Sequence, residues 1–413
     1  MARIEPFPAI RYDFGRLGAQ LSTRIAPPYD VLDQADKDHL LAGSDRNIVA
    51  IDLPYIPPKS AGPPECYKKA ADTLHAWLTN GTLIREPRPA LYVYHQVFTV
   101  HGRQYTRRMF IARLRLVPFS EGVVLPHEQT FGGPKEDRLA LMKATRCNLS
   151  PVFGLYSDPK DEIGTAFHPA VSRTPDAVAT LEDVENHVWI ETDATAIDRV
   201  RAVMAPKKVF IADGHHRYGT GLIYRDFAAQ QAGGKLPDEH PAQYVLMVLA
   251  SMDDPGALIL PYPRVLAHVA LDALLAAWKP GAVETPAGQG DMDLFEGRTG
   301  RTVGVRFTER GKLKTLAPDR TDAWRALDLA YLHRYLLEEL TVPSPIGEPK
   351  IHYVKSEDVA RATARDEDGI ALLARATPMA QLRAVSEAGD LMPQKSTYFY
   401  PKLATGLTIN PLE

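Results

Sequence analysis

The sequence predicts an α+β chain of the mixed α/β kind, with a mixed sheet at its core and a further α+β subdomain attached. Three observations predict this. Segments 91–100 and 105–117 are both rich in tyrosine, valine and phenylalanine and flank His101-Gly102, the pattern of an antiparallel hairpin. Segment 207–212 is an unbroken β-branched and aromatic run that meets a turn, and 218–227 then carries apolar residues at helical spacing, which makes a strand-to-helix elbow. From about 265 to 350 the pattern changes to alternating helix and strand signals, as expected of a packed subdomain.

Taken in order, residues 6–31 are punctuated by proline and end in Ala26-Pro27-Pro28-Tyr29-Asp30-Val31. Two prolines fix an extended approach, so Tyr29 and Asp30 are expected to be presented from a rigid loop. Segments 33–41 and 65–78 read as helices, the second with Tyr67, Ala70, Ala71, Leu74, Trp77 and Leu78 on one face and Gly81 as its stop. After the hairpin, 125–138 reads as a Gly-Gly-Pro loop that carries His127, Glu128, Lys135, Asp137 and Arg138 into a helix starting near Glu136. Strands follow at 149–156 and 187–192, a helix at 194–205, and buried strands at 243–251 and 257–260 separated by Asp253-Asp254-Pro255-Gly256. Segment 271–278 is helical, 302–307 and 312–316 pair as a hairpin around Glu309-Arg310-Gly311, and 325–340 is one long amphipathic helix. Near the end, Lys395 and Lys402 flank the aromatic run Tyr398-Phe399-Tyr400.

Composition bounds the function classes. The 413 residues are enough for two or three domains, and 45% hydrophobic with 24% charged residues is an ordinary globular balance. Lys and Arg number 48 against 51 Asp and Glu, a formal charge of −3 with no long basic run, so no nucleic-acid surface is expected. Cys66 and Cys147 lack CxxC spacing, which argues against a disulfide scaffold or thiolate zinc site. No run approaches the ~20 apolar residues that span a bilayer, and the first residues lack an apolar signal core; a cytoplasmic protein acting on small polar molecules is expected, with oligomeric state open.

The chemistry concentrates in Asp213-Gly214-His215-His216-Arg217. A glycine at such an elbow lets backbone N–H groups approach an anion, the new helix adds its positive end, and Arg217 can fork onto phosphate oxygens. Adjacent histidines on a helix point about 100° apart and do not chelate one ion, so zinc is not expected. Glu128, beside His127, can act as a general base toward a bound alcohol. Arg138, Lys143 and Lys395 join Arg217 as candidate cations for a phosphate; Lys143 either reaches that phosphate or pairs with Glu136 or Asp137, and spacing does not choose. Asp213 or Asp30 is a candidate Mg²⁺ ligand. No P-loop and no kinase-type glycine loop is present to receive ATP.

Gly214-His215-His216-Arg217-Tyr218 resembles the Gly-Cys-His-Arg phosphate box of sulfiredoxin and, more loosely, that of the ParB superfamily, with His215 in place of the reactive cysteine. Sulfiredoxin chemistry is therefore not implied. Together with Pro-Pro-Tyr-Asp-Val at 27–31, His-Glu-Gln-Thr at 127–130 and its continuation, Asn-Leu-Ser-Pro-Val-Phe-Gly-Leu-Tyr at 148–156 and Met-Pro-Gln-Lys-Ser-Thr-Tyr-Phe-Tyr-Pro-Lys at 392–402, it resembles the domain-of-unknown-function 1015 family from about residue 5 onward.

That resemblance implies a ParB/sulfiredoxin-like catalytic core and kinship with free serine kinases, and the best-understood members of the resembled family transfer phosphate from pyrophosphate to L-serine. It implies Glu128 as base with His127 beside it, Asp213 and His216 at the reacting phosphate, and Gly214, His215, Arg217, Arg138, Lys143 and Lys395 around the donor. Tyr29, Asp30, Thr130 and Asn148 are then the substrate-binding set, with Mg²⁺ as cofactor. An ADP- or ATP-dependent kinase, a phosphoserine phosphatase and a non-enzymatic nucleotide-binding module are the alternatives. The chain departs from the family pattern at Pro261-Tyr262-Pro263-Arg264, where Pro-Thr-His-Arg is expected, and at Cys147, where a small apolar residue is usual. The expected division is 1–88 as an N-terminal region on the core, 89–264 as the catalytic core, 265–350 as the α+β subdomain, and 351–413 as a C-terminal region returning to the active-site cleft.

Overall fold

A computed structural model describes residues 1–58, 60–128 and 133–413. The chain folds as two compact units. The first comprises Met1–Pro126, 133–258 and Pro401–Glu413, and the second His127, Glu128 and Ile259–Tyr400.

Unit 1 is built on a nine-stranded mixed sheet. Its strand order is Val124–Leu125, Val209–Asp213, Val152–Tyr156, Tyr244–Ser251, Arg103–Arg115, Leu91–Val100, Val184–Glu191 and Ala177–Leu181, with Ile4–Glu5 added beside Arg103–Arg115. Val209–Asp213 runs parallel to Val124–Leu125, and Tyr244–Ser251 parallel to Val152–Tyr156; the other pairs are antiparallel. The hairpin formed where the sequence placed it, with Gln96 opposite Arg107 and His95 opposite Arg108. Since successive side chains point to opposite faces, this register gives the sheet two different surfaces. On one, Val93, Phe110, Val245 and Leu249 join Ile163, Phe167, Val200 and Met204 of the covering helices Glu162–Val171 and Ala194–Met204 in a buried core. On the other, the buried polar groups Gln96 and Arg107 receive residues of the returning C-terminal segment.

The helix expected at 65–78 spans Pro64–Thr79, and Tyr67, Ala70, Leu74 and Trp77 of its predicted face are buried. The helix expected at 33–41 spans Gln34–Gly43 and starts from Asp33, whose side chain makes a capping box with Asp36. It buries none of its residues, so the cap and not a core contact fixes its start.

Unit 2 carries an antiparallel six-stranded sheet in the order Ala282–Thr285, Thr302–Phe307, Met292–Glu296, Ile370–Ala374, Arg264–Leu266 and Ile351–Tyr353. Two expectations fail here. Thr302–Phe307 does not pair with 312–316: it lies between Ala282–Thr285 and Met292–Glu296, and Arg310–Lys312 and Leu313–Leu316 wind into short helical turns that bury Leu313. The single helix expected at 325–340 is three pieces, Asp322–Arg325, Asp328–Ala330 and the π-helical Tyr331–Thr341, because Leu327 is extended and buried between the first two. The strand expected at 257–260 as a buried neighbour of 243–251 spans Leu258–Leu260, is half-buried and lies outside the nine-stranded sheet.

The C-terminal end of the π-helical piece is fixed by Thr341, whose hydroxyl accepts from Trp278 Nε1 at 2.8 Å and donates to the Leu336 carbonyl at 2.8 Å, both residues being fully buried. Thr341→Val keeps the shape and strands the indole N–H, so it should lower stability by about 1–3 kcal/mol, read as a lower urea midpoint at unchanged m-value; an unchanged midpoint would show that this bond contributes nothing.

Candidate active site

The elbow forms as the sequence dictates. Val209–Asp213 ends at Gly214, which caps the helix His215–Gln231 with φ 87° and ψ 28°. This is the left-handed region that glycine enters without steric cost. A Cβ at Gly214 would also lie 2.9 Å from Arg217 Nε, because the Arg217 side chain folds back over the glycine. Tyr218 holds the first turn down: its buried hydroxyl donates to the Val117 carbonyl at 2.8 Å and accepts from the Val117 amide at 3.1 Å.

Arg217 is buried, donates to the Pro151 carbonyl, and stands 3.4 Å from Asp213 Oδ1. Asp213 Oδ2 accepts from Lys402 Nζ at 2.7 Å. Burial alone would raise the Asp213 carboxyl, but Lys402 and Arg217 outweigh it and hold the group well below the usual carboxylate range. Desolvation opposes the Arg217 charge as well, and Asp213, Asp30, Tyr29 and Asp52 more than offset it, so Arg217 is raised. His215 is buried and His216 half-buried at the start of the helix.

Tyr29 and Asp30 thus lie in the electrostatic neighbourhood of Arg217. Tyr29 is not presented to solvent, however: 29–31 forms a tight turn, and the Tyr29 ring is buried with the Arg138 guanidinium 3.8 Å from its centroid. Arg138 sits in a buried ion network. It pairs with Asp137 at 2.6 Å and reaches Asp52 at 2.6 Å through the main-chain carbonyl and 3.3 Å through Oδ1. Asp137 in turn accepts from Tyr67 at 2.8 Å, and Asp52 from Ser150 at 2.6 Å. Arg138 and Arg217 line one small cavity with Asp52 and Ser150, of about 30 Å³, enough for one water.

Three other residues fall elsewhere. Lys143 is exposed, with Nζ 4.2 Å over the Phe227 ring rather than beside Glu136 or Asp137. Asn148 is buried and joins chain segments: its Oδ1 accepts from the Leu246 amide at 3.0 Å and from Asn410 Nδ2 at 2.9 Å. Thr130 lies outside the described residues.

Unit 2 holds His127, Glu128 and Lys395. His127 is buried, with Nε2 2.9 Å from Thr397 Oγ1 and its carbonyl accepting from the Met392 amide at 2.8 Å. Glu128 keeps 28% of its side chain exposed, with Oε1 3.9 Å from His127 Nε2. Lys395 places Nζ 5.4 Å from the ring centroid of Tyr262, in the stretch where the chain departs from the family pattern. The next residue but one, Arg264, is fully buried and donates to the carbonyls of Tyr262, Gln394 and Lys395, the last at 3.0 Å. Burial pulls Arg264 down to about 10, partly offset by Tyr353, Tyr262 and Glu128. Arg264 Nε also donates to His333 Nε2 at 3.2 Å, and burial together with Arg264 lowers His333 to about 3.

Sequence reasoning passed over Lys402, Asp52, Arg107 and Arg264 as site residues. Lys402 was visible only as the flank of an aromatic run, and Asp52 sits in the apolar Val49-Ala50-Ile51-Asp52-Leu53, which gives no polar signal.

A family model described as "Protein of unknown function (DUF1015)" matches residues 4–330. No curated protein matches the sequence. Among solved structures, C-terminally truncated SbnI from Staphylococcus aureus is 9% identical with a TM-score of 0.38, covering 73% of this chain and 87% of its own. A mutant free serine kinase in complex with ADP is 11% identical with a TM-score of 0.34, covering 73% and 92%. A conserved hypothetical protein from Pyrococcus furiosus is 12% identical with a TM-score of 0.32, covering 72% and 95%.

The Arg264–His333 contact sets a pH dependence. An unfolded histidine titrates near 6.5, whereas folded His333 stays neutral down to about 3. Protons therefore favour the unfolded chain below pH 6.5: the stability is complete above that pH and declines as pH falls toward 3. Between pH 7.5 and 5 the stability difference between wild type and His333→Gln should change by about 2 kcal/mol, measured by urea unfolding at both pH values; a constant difference would mean that His333 charges freely in the folded protein.

Proposed function

The chain belongs to the DUF1015 family, and on that premise we propose that it is a phosphotransferase moving a phosphoryl group from pyrophosphate to the hydroxyl of free L-serine. The observation that carries this reading is the Gly214 elbow. A left-handed glycine, the start of a 17-residue helix and the buried guanidinium of Arg217 converge there beside Asp213. Such an arrangement suits a phosphate group, since helix N–H groups and a fixed guanidinium both favour anionic oxygens. Serine as acceptor and pyrophosphate as donor come from the likeness of the five sequence motifs.

Phosphoryl transfer asks the protein mainly for positioning and charge. By the likeness of the His-Glu stretch, and not by its position, Glu128 is the proposed base: it takes the proton of the serine hydroxyl while the serine oxygen bonds to phosphorus. The bridging P–O bond breaks, its electron pair leaves with orthophosphate, and O-phosphoserine is the product. Arg217 neutralises charge on the non-bridging oxygens. His127, held by Thr397, orients the backbone from which Glu128 projects. Arg138 is better cast as a support for the elbow than as a donor ligand, since both its carboxylate partners are buried with it.

The residues around Asp213 do not fit a resident Mg²⁺. Asp213 faces two cations, and among the described residues no group of three or more His, Cys, Asp or Glu side chains could hold a metal. Mg²⁺ is proposed only as the counter-ion that accompanies pyrophosphate in solution, and no step above depends on it.

The test is ³¹P NMR of purified protein with L-serine, Mg²⁺ and pyrophosphate, ADP or ATP in parallel. Phosphoserine should form with pyrophosphate. Glu128→Gln should lower kcat by about 10²–10⁴-fold, and Arg217→Ala should lower kcat/KM by at least about 10²-fold. Phosphoserine formed from no donor would overturn the proposal, and turnover with ADP or ATP alone would replace the donor.

A further inference from the structure

The segment 401–405 is held unusually firmly. Fully buried Arg107, on the strand Arg103–Arg115, donates to the Pro401 carbonyl at 2.5 Å and to Gln96. Gln96 donates to the Lys402 carbonyl at 3.0 Å, the Tyr94 hydroxyl accepts from the Ala404 amide at 3.4 Å, and Thr405 bridges to Ala26. Burying a guanidinium is costly unless its donors are used, and here Arg107 fixes the Pro401 carbonyl directly and orients Gln96, which fixes the Lys402 carbonyl. That anchored backbone delivers one ammonium group to Asp213 Oδ2 at 2.7 Å.

The two cations on Asp213 differ in freedom. Arg217 is 9% exposed and fixed at the Pro151 carbonyl, whereas the Lys402 side chain is 26% exposed at the end of a flexible four-carbon stem. A phosphate entering the elbow would be repelled by the Asp213 carboxylate and would compete with it for the nearest movable cation.

We propose that Lys402 is the movable phosphate grip of the elbow, parked on Asp213 without ligand and transferred to a phosphate oxygen of the donor when one binds. This rests on the phosphotransferase reading. Lys402 is thereby a donor-affinity residue, a role expected of Lys395 and Lys143 from the family resemblance, and the ligand class is inorganic pyrophosphate or the terminal phosphates of a nucleotide.

The experiment is titration calorimetry with inorganic pyrophosphate and Mg²⁺ on the full chain. Lys402→Met should weaken binding about 10- to 100-fold, Lys402→Arg should recover part of it, and kcat at saturating pyrophosphate should fall by much less than KM rises. A purely structural role would act through the Asp213 charge left unpaired, so the double variant Asp213→Asn with Lys402→Met separates the two. As a grip, Lys402 predicts that the double variant regains thermal stability and still binds pyrophosphate at least about tenfold more weakly than Asp213→Asn alone. Wild-type affinity in Lys402→Met, or a double variant that binds as tightly as Asp213→Asn alone, overturns the inference and leaves the phosphotransferase reading intact, whereas a wild-type protein that binds no pyrophosphate overturns both.

Discussion

The pairing of buried charge around Asp213 is the constraint on which the elbow depends. A carboxylate and a guanidinium withdrawn from water are tolerable only when they compensate one another and fill their remaining hydrogen bonds. Asp213 meets Arg217 on the same turn and Lys402 from the far end of the chain, and Arg217 spends a further donor on the Pro151 carbonyl. Glycine at 214 makes this possible, since any side chain there would collide with the folded-back Arg217. Conformation, charge and access to an anion are three aspects of one local solution.

The same physical device recurs within each unit. In unit 1, Arg107 lies fully buried against Phe153 and gathers the carbonyl of Pro401. In unit 2, Arg264 lies fully buried near Tyr353 and gathers the carbonyls of Gln394 and Lys395. A guanidinium has five donors in a rigid fork and keeps its charge when desolvated, so it can fix a turn of backbone that offers no regular ladder. Both arginines act on residues flanking the aromatic run 398–400, and so the lysines at its two ends sit on well-anchored main chain.

The fold was legible wherever the signal was local. Strand, turn and helix around 207–227 occupy contiguous residues, and the hairpin at 91–115 needed only its own alternation and the His101-Gly102 turn. Reading failed where distant partners decided. Thr302–Phe307 pairs with strands before it in the sequence, not with 312–316, and burial of Leu327 interrupts a stretch whose apolar spacing suits an unbroken helix. The site divides in the same way. Asp213 through Arg217 could be found because they are consecutive. Arg138 and Lys143 share a helix and a charge, and only the three-dimensional placement of Asp52 and Phe227 makes one a buried anchor and the other a surface cation. Lys402, 189 residues from Asp213, had no local mark beyond its neighbouring aromatics.

The discontinuity of unit 1 has a consequence for how the protein is made. Its sheet is encoded before Leu258, yet the segment that covers Gln96 and Arg107 is translated only after the whole of Ile259–Tyr400. At ribosomal speeds of roughly 5–20 residues per second, the nascent sheet waits on the order of ten seconds with a buried-type arginine and glutamine still wet. During that interval Gln96 and Arg107 have only water in place of the Pro401 and Lys402 carbonyls, so this face of the sheet closes last.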